Sequence, residues 1–340
     1  MKKIVLIDGS SLLVSSFYAT APKEIARFTT EEERERYYQY LLQTSSGIYT
    51  NAVFSMTRAL LGIIQFVSPD YIAVAFDENR ETTFRKKMFP EYKAQRKPSP
   101  APLTSQFQLM EEMLNMMNIV VLKHPEFEAD DLIASMASKY ERENPDAEIY
   151  LLTKDHDYYQ LVTNHTKVWM MQSSLDKVDS LYEKYGLNPE NAICPGNCFE
   201  FDEVLVKEET GVTPEQIPDL KGIMGDVSDN FKGIPGVGEA AAPILIEHYG
   251  TVGNMATEVT KDTSKEGIDK LKSLWKSWGI TRPPVLKVIE GYKEGLFCKE
   301  LATMKKDCPI PELNDLCLWI DEKSMKEELN KLEIKSLDEI

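Results

Sequence analysis

The chain has 340 residues, of which 42% are hydrophobic and 28% charged, and its formal net charge at pH 7 is −16. This is the ordinary balance of a soluble globular protein that can bury a core without disulfide staples. No apolar run approaches the roughly 20 residues that cross a bilayer, and no secretory signal is visible, so we expect a cytoplasmic protein. The five cysteines, an odd number scattered over a chain without a secretory signal, are expected to be reduced. Cys194 and Cys198 lack the second ligand pair of a structural zinc site.

Strands and helices alternate in the predicted structure of the first 200 residues. Short apolar runs predict strands over residues 3–7, 71–76, 119–122, 148–152 and 168–171. Helical periodicity is predicted from the end of the first strand to about residue 18, and over residues 30–43, 51–67, 103–118 and 129–141. The alternation predicts an α/β domain with a largely parallel central sheet flanked by helices. After about residue 200 the strand signal fades, which predicts a helical domain over residues 201–340.

A basic segment follows the second predicted strand. Residues 80–97 contain seven basic and two acidic residues, a local charge of +5 in an acidic chain. Prolines at positions 98, 100 and 102 close the segment, and a regular helix is not expected to run through them. The whole-chain charge does not argue for nucleic-acid binding, but this segment is compatible with it.

Acidic residues cluster where predicted strands end. Asp8, Asp77 and Asp155 come just after three strands, and Glu128 opens the helix after another. Because the carboxyl ends of parallel strands share one edge of a sheet, we expect these side chains to lie together. A further pair, Asp226 and Asp229, lies outside the predicted sheet. The full set of candidate metal ligands is Asp8, Asp77, Glu128, Asp130, Asp131, Asp155, Asp157, Asp226 and Asp229.

Divalent cations would resolve the repulsion within such a cluster. Carboxylates held close together tend to keep their protons unless a cation offsets their charge. Carboxylate oxygens suit Mg²⁺ or Mn²⁺ rather than zinc. Each acid taken alone could instead be a helix cap or a surface charge, and Asp8 could be only the cap of the helix that follows it.

A glycine-rich turn lies in the second half of the chain. Residues 233–238 read Gly-Ile-Pro-Gly-Val-Gly and join two predicted helices within about residues 220–250. The turn is not a dinucleotide-binding fingerprint, because no strand leads into it and Pro235 breaks the glycine spacing. It could be an ordinary helix–helix turn. Its position directly after Asp226 and Asp229 favours a helix-hairpin-helix that holds a DNA backbone through exposed N–H groups. Its candidate contacts are Gly233, Gly236, Val237 and Gly238.

Several short motifs are specific in combination. They are Ile-Asp-Gly-Ser-Ser at 7–11, Phe-Asp at 76–77, Phe-Arg at 84–85, Pro-Glu-Tyr-Lys-Ala-Gln-Arg at 90–96, Glu-Ala-Asp-Asp at 128–131, Thr-Lys-Asp-His-Asp at 153–157 and Met-Gly-Asp-Val-Ser-Asp-Asn at 224–230. From residue 3 to about 260 the chain resembles the 5′-nuclease family. That family comprises the N-terminal nuclease domain of bacterial DNA polymerase I, its phage relatives and the flap endonucleases.

The resemblance implies a fold and a role for each motif. It implies a PIN-like catalytic domain over residues 1–200 with a helical arch at about 80–112. The nine acids would bind two or more Mg²⁺ or Mn²⁺ ions, directly or through water. Lys93 and Arg96 would steer the scissile phosphate and offset its charge in the transition state. Single-stranded DNA would be gripped by Arg85, Lys86 and Tyr92. The hairpin would bind duplex backbone with a K⁺ ion on its main-chain carbonyls.

The chain departs from the family pattern at four places. Residues 238–241 read Gly-Glu-Ala-Ala where the family has Gly-Glu-Lys-Thr, so a phosphate-contacting lysine is lost. Val14 and Ser15 replace a Tyr-Arg pair of many members. Residues 23–46 and 188–212 have no clear counterpart. The stretch beyond residue 260 is short for a polymerase domain, so the resemblance implies a free-standing nuclease.

The leading hypothesis is a structure-specific 5′-3′ exonuclease and flap endonuclease acting in primer removal or repair. Its DNA partners would be 5′ flaps, frayed or branched ends and RNA primer–DNA hybrids, and it would be a monomer in a bacterial or phage-infected cell. A non-catalytic DNA-junction binder is one alternative, but it predicts lost carboxylates and none is lost. A PIN-type ribonuclease is another, although it would not require the hairpin or the Asp226 and Asp229 pair.

Overall fold

The computed structural model describes residues 2–191 and 194–337 and contains one six-stranded sheet within them. The strands are β1 (Lys3–Asp8), β2 (Tyr71–Ala75), β3 (Val120–Leu122), β4 (Glu148–Thr153), β5 (Thr166–Met171) and β6 (Cys198–Phe201). Their order across the sheet is β3-β2-β1-β4-β5-β6, and all pairs are parallel except the antiparallel pair of β5 and β6. The strands predicted from the sequence are confirmed as β1 to β5. The sequence does not predict β6, because this edge strand is too short to display a clear alternation.

Helices cover both faces of the sheet and build the second half of the chain. Those before residue 200 are α1 (Gly9–Thr20), α2 (Lys23–Arg27), α3 (Glu31–Tyr38), α4 (Asn51–Val67), α5 (Phe84–Met88), α6 (Ala101–Met116), α7 (Ala129–Glu143) and α8 (Leu175–Lys184). Those after it are α9 (Glu203–Thr210), α10 (Ile217–Met224), α11 (Ala242–Tyr249), α12 (Val252–Thr260), α13 (Lys265–Ser277), α14 (Val285–Ala302) and α15 (Glu322–Lys331). Within residues 2–191 and 194–337, no helix combines the length and the apolar character needed to cross a membrane.

The two faces of the sheet carry separate apolar layers. In β1, Val5 and Ile7 pack with α1, α4, α6 and α15, whereas Ile4 and Leu6 pack with α7 and the helices after residue 216. All four side chains are fully buried, as the period of two along a strand requires when both faces are covered. The α/β architecture predicted from the sequence is therefore confirmed, and α7 connects the sheet to the helical part.

The predicted helix over residues 30–43 is shorter than expected. α3 ends at Tyr38, because the next residues turn back and the N–H of Leu41 bonds the carbonyl of Tyr38 at 3.0 Å. Leu41 is then buried in the core, and Gln43 pairs with Tyr49 as an isolated bridge. Charge density predicts an exposed helix here, but it does not mark the point at which an apolar side chain turns the chain inward.

The helical part is packed closely around α14. A Cβ on Gly222 of α10 would lie 2.7 Å from the carbonyl oxygen of Gly295, so these glycines let α10 and α14 approach. After α14 the chain returns to the sheet, where Cys317 forms an isolated antiparallel β-bridge with Tyr71. The next helix, α15, packs against α6. The division into domains at about residue 200 stays a prediction.

Candidate active site

The end of β1 places a buried carboxylate at the edge of the sheet. Asp8 accepts the N–H of Ser11 at 2.9 Å, which caps α1, and its other oxygen accepts the hydroxyl of Thr153 at 2.9 Å. Burial raises the pKa of Asp8 to about 6, and the charges of Asp77 and Asp155 add to the effect. Asp8 is therefore a helix cap and also part of an acidic group that has too little positive charge around it.

The start of α7 brings three more carboxylates together. Glu128 and Asp131 form a capping box at this helix end, and Asp77 accepts the N–H of Ala129 at 3.0 Å, which joins β2 to the same turn. Oxygens of Glu128, Asp130 and Asp131 lie within 4.8 Å of one another, close enough to share a metal ion. Burial and the neighbouring charge of Asp131 raise the pKa of Asp130 well above its usual value.

The end of β4 connects the sheet to the helical part through Lys221. Asp155 accepts the N–H of Asp157 at 2.9 Å in the turn after the strand. The ammonium of Lys221, on α10, lies against Asp157 and bonds Asp226 at 2.5 Å. Burial alone would raise the pKa of Asp226, but Lys221 outweighs it and holds that pKa at about 2. Lys221 thus joins acids that are far apart in sequence.

Arg85 is the most buried cation at the site, with 2% of its surface exposed. Its guanidinium donates to Asp131 at 2.6 and 2.8 Å and to Glu128 at 3.0 Å. The same group donates to the carbonyl oxygens of Leu301 at 2.8 Å and Thr303 at 3.2 Å, at the end of α14. Arg85 was expected to grip DNA, but in this structure it faces carboxylates and carbonyls inside the protein.

We call the whole basic segment, residues 80–97, the basic loop. The middle of this loop lies over the carboxylates. The ammonium of Lys93 donates to Glu128 at 2.6 Å and lies 3.9 Å from Asp229. Lys93 has a φ of +54°, a left-handed conformation that costs a lysine energy, and its N–H bonds the carbonyl of Asp229 at 3.1 Å. Arg96 donates to Asp229 at 2.9 Å.

Tyr92 and Lys86 support that arrangement from within the basic loop. The hydroxyl of Tyr92 lies 3.0 Å from Glu128 and 2.8 Å from Asp229, and its ring is buried. Lys86 is half-buried and donates to the carbonyl oxygen of Tyr92 at 3.2 Å. Burial would raise the pKa of Glu128, but the charges of Lys93 and Arg85 outweigh it and lower that pKa. Tyr92, like Arg85, therefore offers no open surface to a nucleic acid in this structure.

A cleft of about 1170 Å³ opens onto the acids. Its acidic lining residues are Asp8, Asp77, Glu128, Asp130, Asp155, Asp157 and Asp226. Lys93, Arg96 and Lys221 line the same cleft, whereas Asp131 and Asp229 do not. Seven of the nine predicted ligands thus line one cleft. The other two are paired with cations of the basic loop, Asp131 with Arg85 and Asp229 with Arg96.

Sequence reasoning missed three lining residues of this cleft. Lys221 precedes Asp226 by five residues, but no motif identifies a lysine near the end of a helix as a partner of two aspartates. Tyr18 and Arg58 extend the lining between α1 and α4, beside Val14 and Ser15, where the family's Tyr-Arg pair is absent. Both are exposed, so they offer an aromatic ring and a guanidinium in that region.

The hairpin has the tight backbone that its glycines predict. Gly233 has a φ of +63°, and a Cβ there would lie 2.3 Å from the backbone nitrogen of Gly225. Val237 is buried, so its side chain anchors the turn, whereas Gly236 and Gly238 are exposed. The ammonium of Lys287, on α14, lies 3.3 Å from the carbonyl oxygen of Gly236. The sequence motif gives no sign of this lysine, which is about 50 residues from the hairpin.

Two families of known sequences match parts of this chain. A family described as 5′-3′ exonuclease, N-terminal resolvase-like domain matches residues 3–186, and one described as 5′-3′ exonuclease, C-terminal SAM fold matches residues 212–324. A 5′-3′ exonuclease of Aquifex aeolicus is 31% identical, over 99% of this chain and 94% of that protein. DNA polymerase I of Bacillus caldotenax is 33% identical over 91% of this chain, which spans 28% of the polymerase's length.

Solved structures share the architecture at lower identity. The bacteriophage T5 D15 protein co-crystallized with metal ions has a TM-score of 0.53 and 16% identity, over 97% of this chain and 99% of that one. Human GEN1 in complex with Holliday junction DNA has a TM-score of 0.54 and 12% identity, over 97% of this chain and 68% of that one. At these identities the likeness shows a common fold.

Proposed function

The chain belongs to the 5′-3′ exonuclease family, and from that membership we propose that it is a metal-dependent 5′ nuclease hydrolysing DNA phosphodiesters. The observation that carries the proposal is the convergence of carboxylates from four adjacent parallel strands on one cleft that also holds cations. Its substrates would be 5′ flaps, frayed or branched duplex ends and RNA primer–DNA hybrids, cut in primer removal or repair. We propose that it acts as a monomer in the cytoplasm.

The acidic residues fit divalent metal ions. Glu128, Asp130 and Asp131 already place oxygens within reach of one ion, and the raised pKa of Asp8 indicates a buried acid that lacks a counter-charge. Oxygen donors of this kind favour Mg²⁺ or Mn²⁺. The residues that would hold two or more ions, directly or through water, are Asp8, Asp77, Glu128, Asp130, Asp131, Asp155, Asp157, Asp226 and Asp229. When bound, such ions supply a water of lowered pKa and stabilise the leaving oxygen.

Lys93 and Arg96 would act on the scissile phosphate. Both line the cleft, and each is paired with a carboxylate, Lys93 with Glu128 and Arg96 with Asp229. An incoming phosphate would therefore offer each an alternative anionic partner. Charge placed before the reaction stabilises the transition state without reorganisation. Arg85 and Tyr92 hold Glu128, Asp131 and Asp229 in place, so their contacts support a positioning role instead of the expected grip on DNA.

The hairpin and the outer cleft would hold the rest of the substrate. Gly238 leaves room for a phosphate beside the backbone, and Lys287, whose side chain lies against Gly236, provides the positive charge that the missing family lysine would give. A K⁺ ion on the hairpin carbonyls would have to share Gly236 with this ammonium. Tyr18 and Arg58 would contact the strand near Val14 and Ser15.

The test is cleavage of an end-labelled 5′-flap duplex with Mg²⁺ or with EDTA. We expect cutting near the single-strand junction that needs Mg²⁺, with a rate loss of about 100-fold or more in Asp130→Asn. Asp179→Asn, an exposed acid on α8, is the matched control and should cut like the wild type. No cutting with flap binding intact would replace the proposal with a junction-binding function. Preferential cutting of a labelled RNA hairpin would replace it with a ribonuclease.

A further inference from the structure

Residues 23–46, which are expected from the sequence to lack a clear counterpart in the family, form a compact unit beside the basic loop. We call them the α2–α3 unit. Ile25, Tyr38 and Leu41 are buried in the apolar layer that also contains α1 and α6. The α2–α3 unit is therefore anchored to the same core as the sheet and does not hang from it as a surface loop.

A buried arginine joins this unit to the end of the basic loop. Arg34, on α3, is 6% exposed, and its Nη1 donates to the carbonyl oxygen of Pro98 at 3.2 Å. Its Nε donates to the carbonyl oxygen of Phe28 at 3.0 Å. Burying a guanidinium is costly unless its donors are satisfied, so these bonds tie Pro98 to the α2–α3 unit. Pro98 follows directly after the last residue of the basic loop.

A glutamate of the same helix caps the helix that leaves the basic loop. Glu31 accepts the N–H of Ala101, the first residue of α6, at 3.1 Å and the hydroxyl of Tyr38 at 2.7 Å. Pro100, which precedes α6, has no polar side chain with which to cap it. A carboxylate at a helix N-terminus satisfies a free donor and interacts favourably with the helix dipole. The α2–α3 unit thus fixes both Pro98 and the start of α6.

We propose that the α2–α3 unit is a brace that holds the C-terminal end of the basic loop and thereby positions Arg96 and Lys93 over the carboxylates. The beginning of the loop is held by Arg85, and its middle by the bond from the Lys93 N–H to Asp229. Arg34 adds an attachment at Pro98, two residues after Arg96. Arg34 and Glu31 are positioning residues in this proposal, which rests on the proposed nuclease function.

The first measurement is single-turnover cleavage of the flap duplex at saturating enzyme. Because small displacements of a positioned group reduce rates strongly, Arg34→Met should cut about 10-fold more slowly. Its Kd for the duplex should stay within about twofold of the wild type, since the hairpin is unchanged. Arg34→Lys, which retains a donor, should recover part of the rate. Arg36→Met, exposed on the same helix, is the matched control and should match the wild type.

A mutant cycle separates positioning from a general loss of stability. If Arg34 acts through Lys93 and Arg96, Arg34→Met should have little further effect in a background that carries both Lys93→Met and Arg96→Met. A full 10-fold loss in that background would overturn the proposal. So would an Arg34→Met rate equal to that of the wild type, or a Kd that weakens in parallel with the rate.

Limited proteolysis tests the brace without relying on nuclease activity. Trypsin should cleave after Lys93 or Arg96 at least about fivefold faster in Arg34→Met, with other sites unchanged, because the loop end is released. If Arg34→Met does not fold, Arg34→Lys replaces it in each assay. Wild-type protein that leaves every flap substrate uncut would refute the proposed function, whereas unchanged proteolysis at Lys93 and Arg96 would refute the brace.

Discussion

The basic loop and the hairpin are two regions proposed to contact DNA, and they are built in different ways. The loop turns Arg85, Lys93 and Arg96 inward onto carboxylates, so its charges are already paired inside the protein. The hairpin is an exposed backbone turn over α14, with the ammonium of Lys287 against the carbonyl oxygen of Gly236. The loop must exchange its partners when a phosphate enters, whereas the hairpin can bind a phosphate without breaking an ion pair between side chains.

The difference shows that a count of basic residues does not identify a binding surface. In the basic loop the most buried cation, Arg85, is paired with the acids, whereas Arg80, Lys93 and Arg96 line the cleft. We therefore expect changes in the loop to affect stability and the rate of cleavage, and changes at the hairpin to affect the binding of duplex.

The largest stability effect is expected from Arg85→Met. Removing one partner of a buried pair leaves Asp131 without its counter-charge and Glu128 with Lys93 alone, and breaking such a pair typically costs about 3–5 kcal/mol. Urea unfolding measures the loss. Lys87→Met, which breaks an exposed pair with Glu126, should change the free energy of unfolding by less than about 1 kcal/mol. An unchanged unfolding curve for Arg85→Met, together with weakened binding of single-stranded DNA, would mean that Arg85 contacts DNA and does not stabilise the acids.

Lys93→Met and Arg96→Met should each slow single-turnover cleavage by about 10²–10³-fold, because both charges are proposed to stabilise the transition state. Binding of a flap duplex should change much less than the rate. Lys177→Met, an exposed lysine on α8, provides the control for a simple loss of charge. Variants that weaken binding and leave the cleavage rate of bound substrate intact would place Lys93 and Arg96 with the hairpin as substrate holders.

Adding Mg²⁺ should raise the thermal unfolding midpoint, since ions that bind the folded acids stabilise the native state. At a concentration of 100 times Kd the gain is about 2.7 kcal/mol for one site. Differential scanning calorimetry with Mg²⁺ and with EDTA measures the shift. Asp130→Asn should reduce the shift and Asp179→Asn should preserve it. An equal shift in both variants would mean that the ions stabilise the protein from a site outside the cleft.

The sequence predicts the parts of this site that follow from local patterns, and it does not predict contacts between segments that are distant in sequence. Asp8, Asp77 and Asp155 follow apolar runs, and the parallel sheet brings them to one edge without further information. Lys221 and Arg34 depend on how distant segments pack, and no local pattern carries that. The direction in which the Arg85 side chain points is also set by tertiary packing. The sequence around a basic residue is the same whether its side chain faces solvent or buried carboxylates.

The smallest expected effect belongs to the hairpin. Lys287→Met should lower the slope of log Kd against log salt concentration for duplex binding by about one, since one phosphate contact is lost. Lys293→Met, exposed on the same helix, should leave the slope unchanged. Repeating the titration in NaCl and KCl distinguishes Lys287 from a K⁺ ion as the cation at Gly236. If wild-type binding is much tighter in KCl and Lys287→Met has the wild-type slope, a bound K⁺ supplies that charge. If binding is equal in both salts and the slope falls, the ammonium does so. In that case the hairpin, unlike the basic loop, takes its positive charge from a lysine that its own motif does not contain.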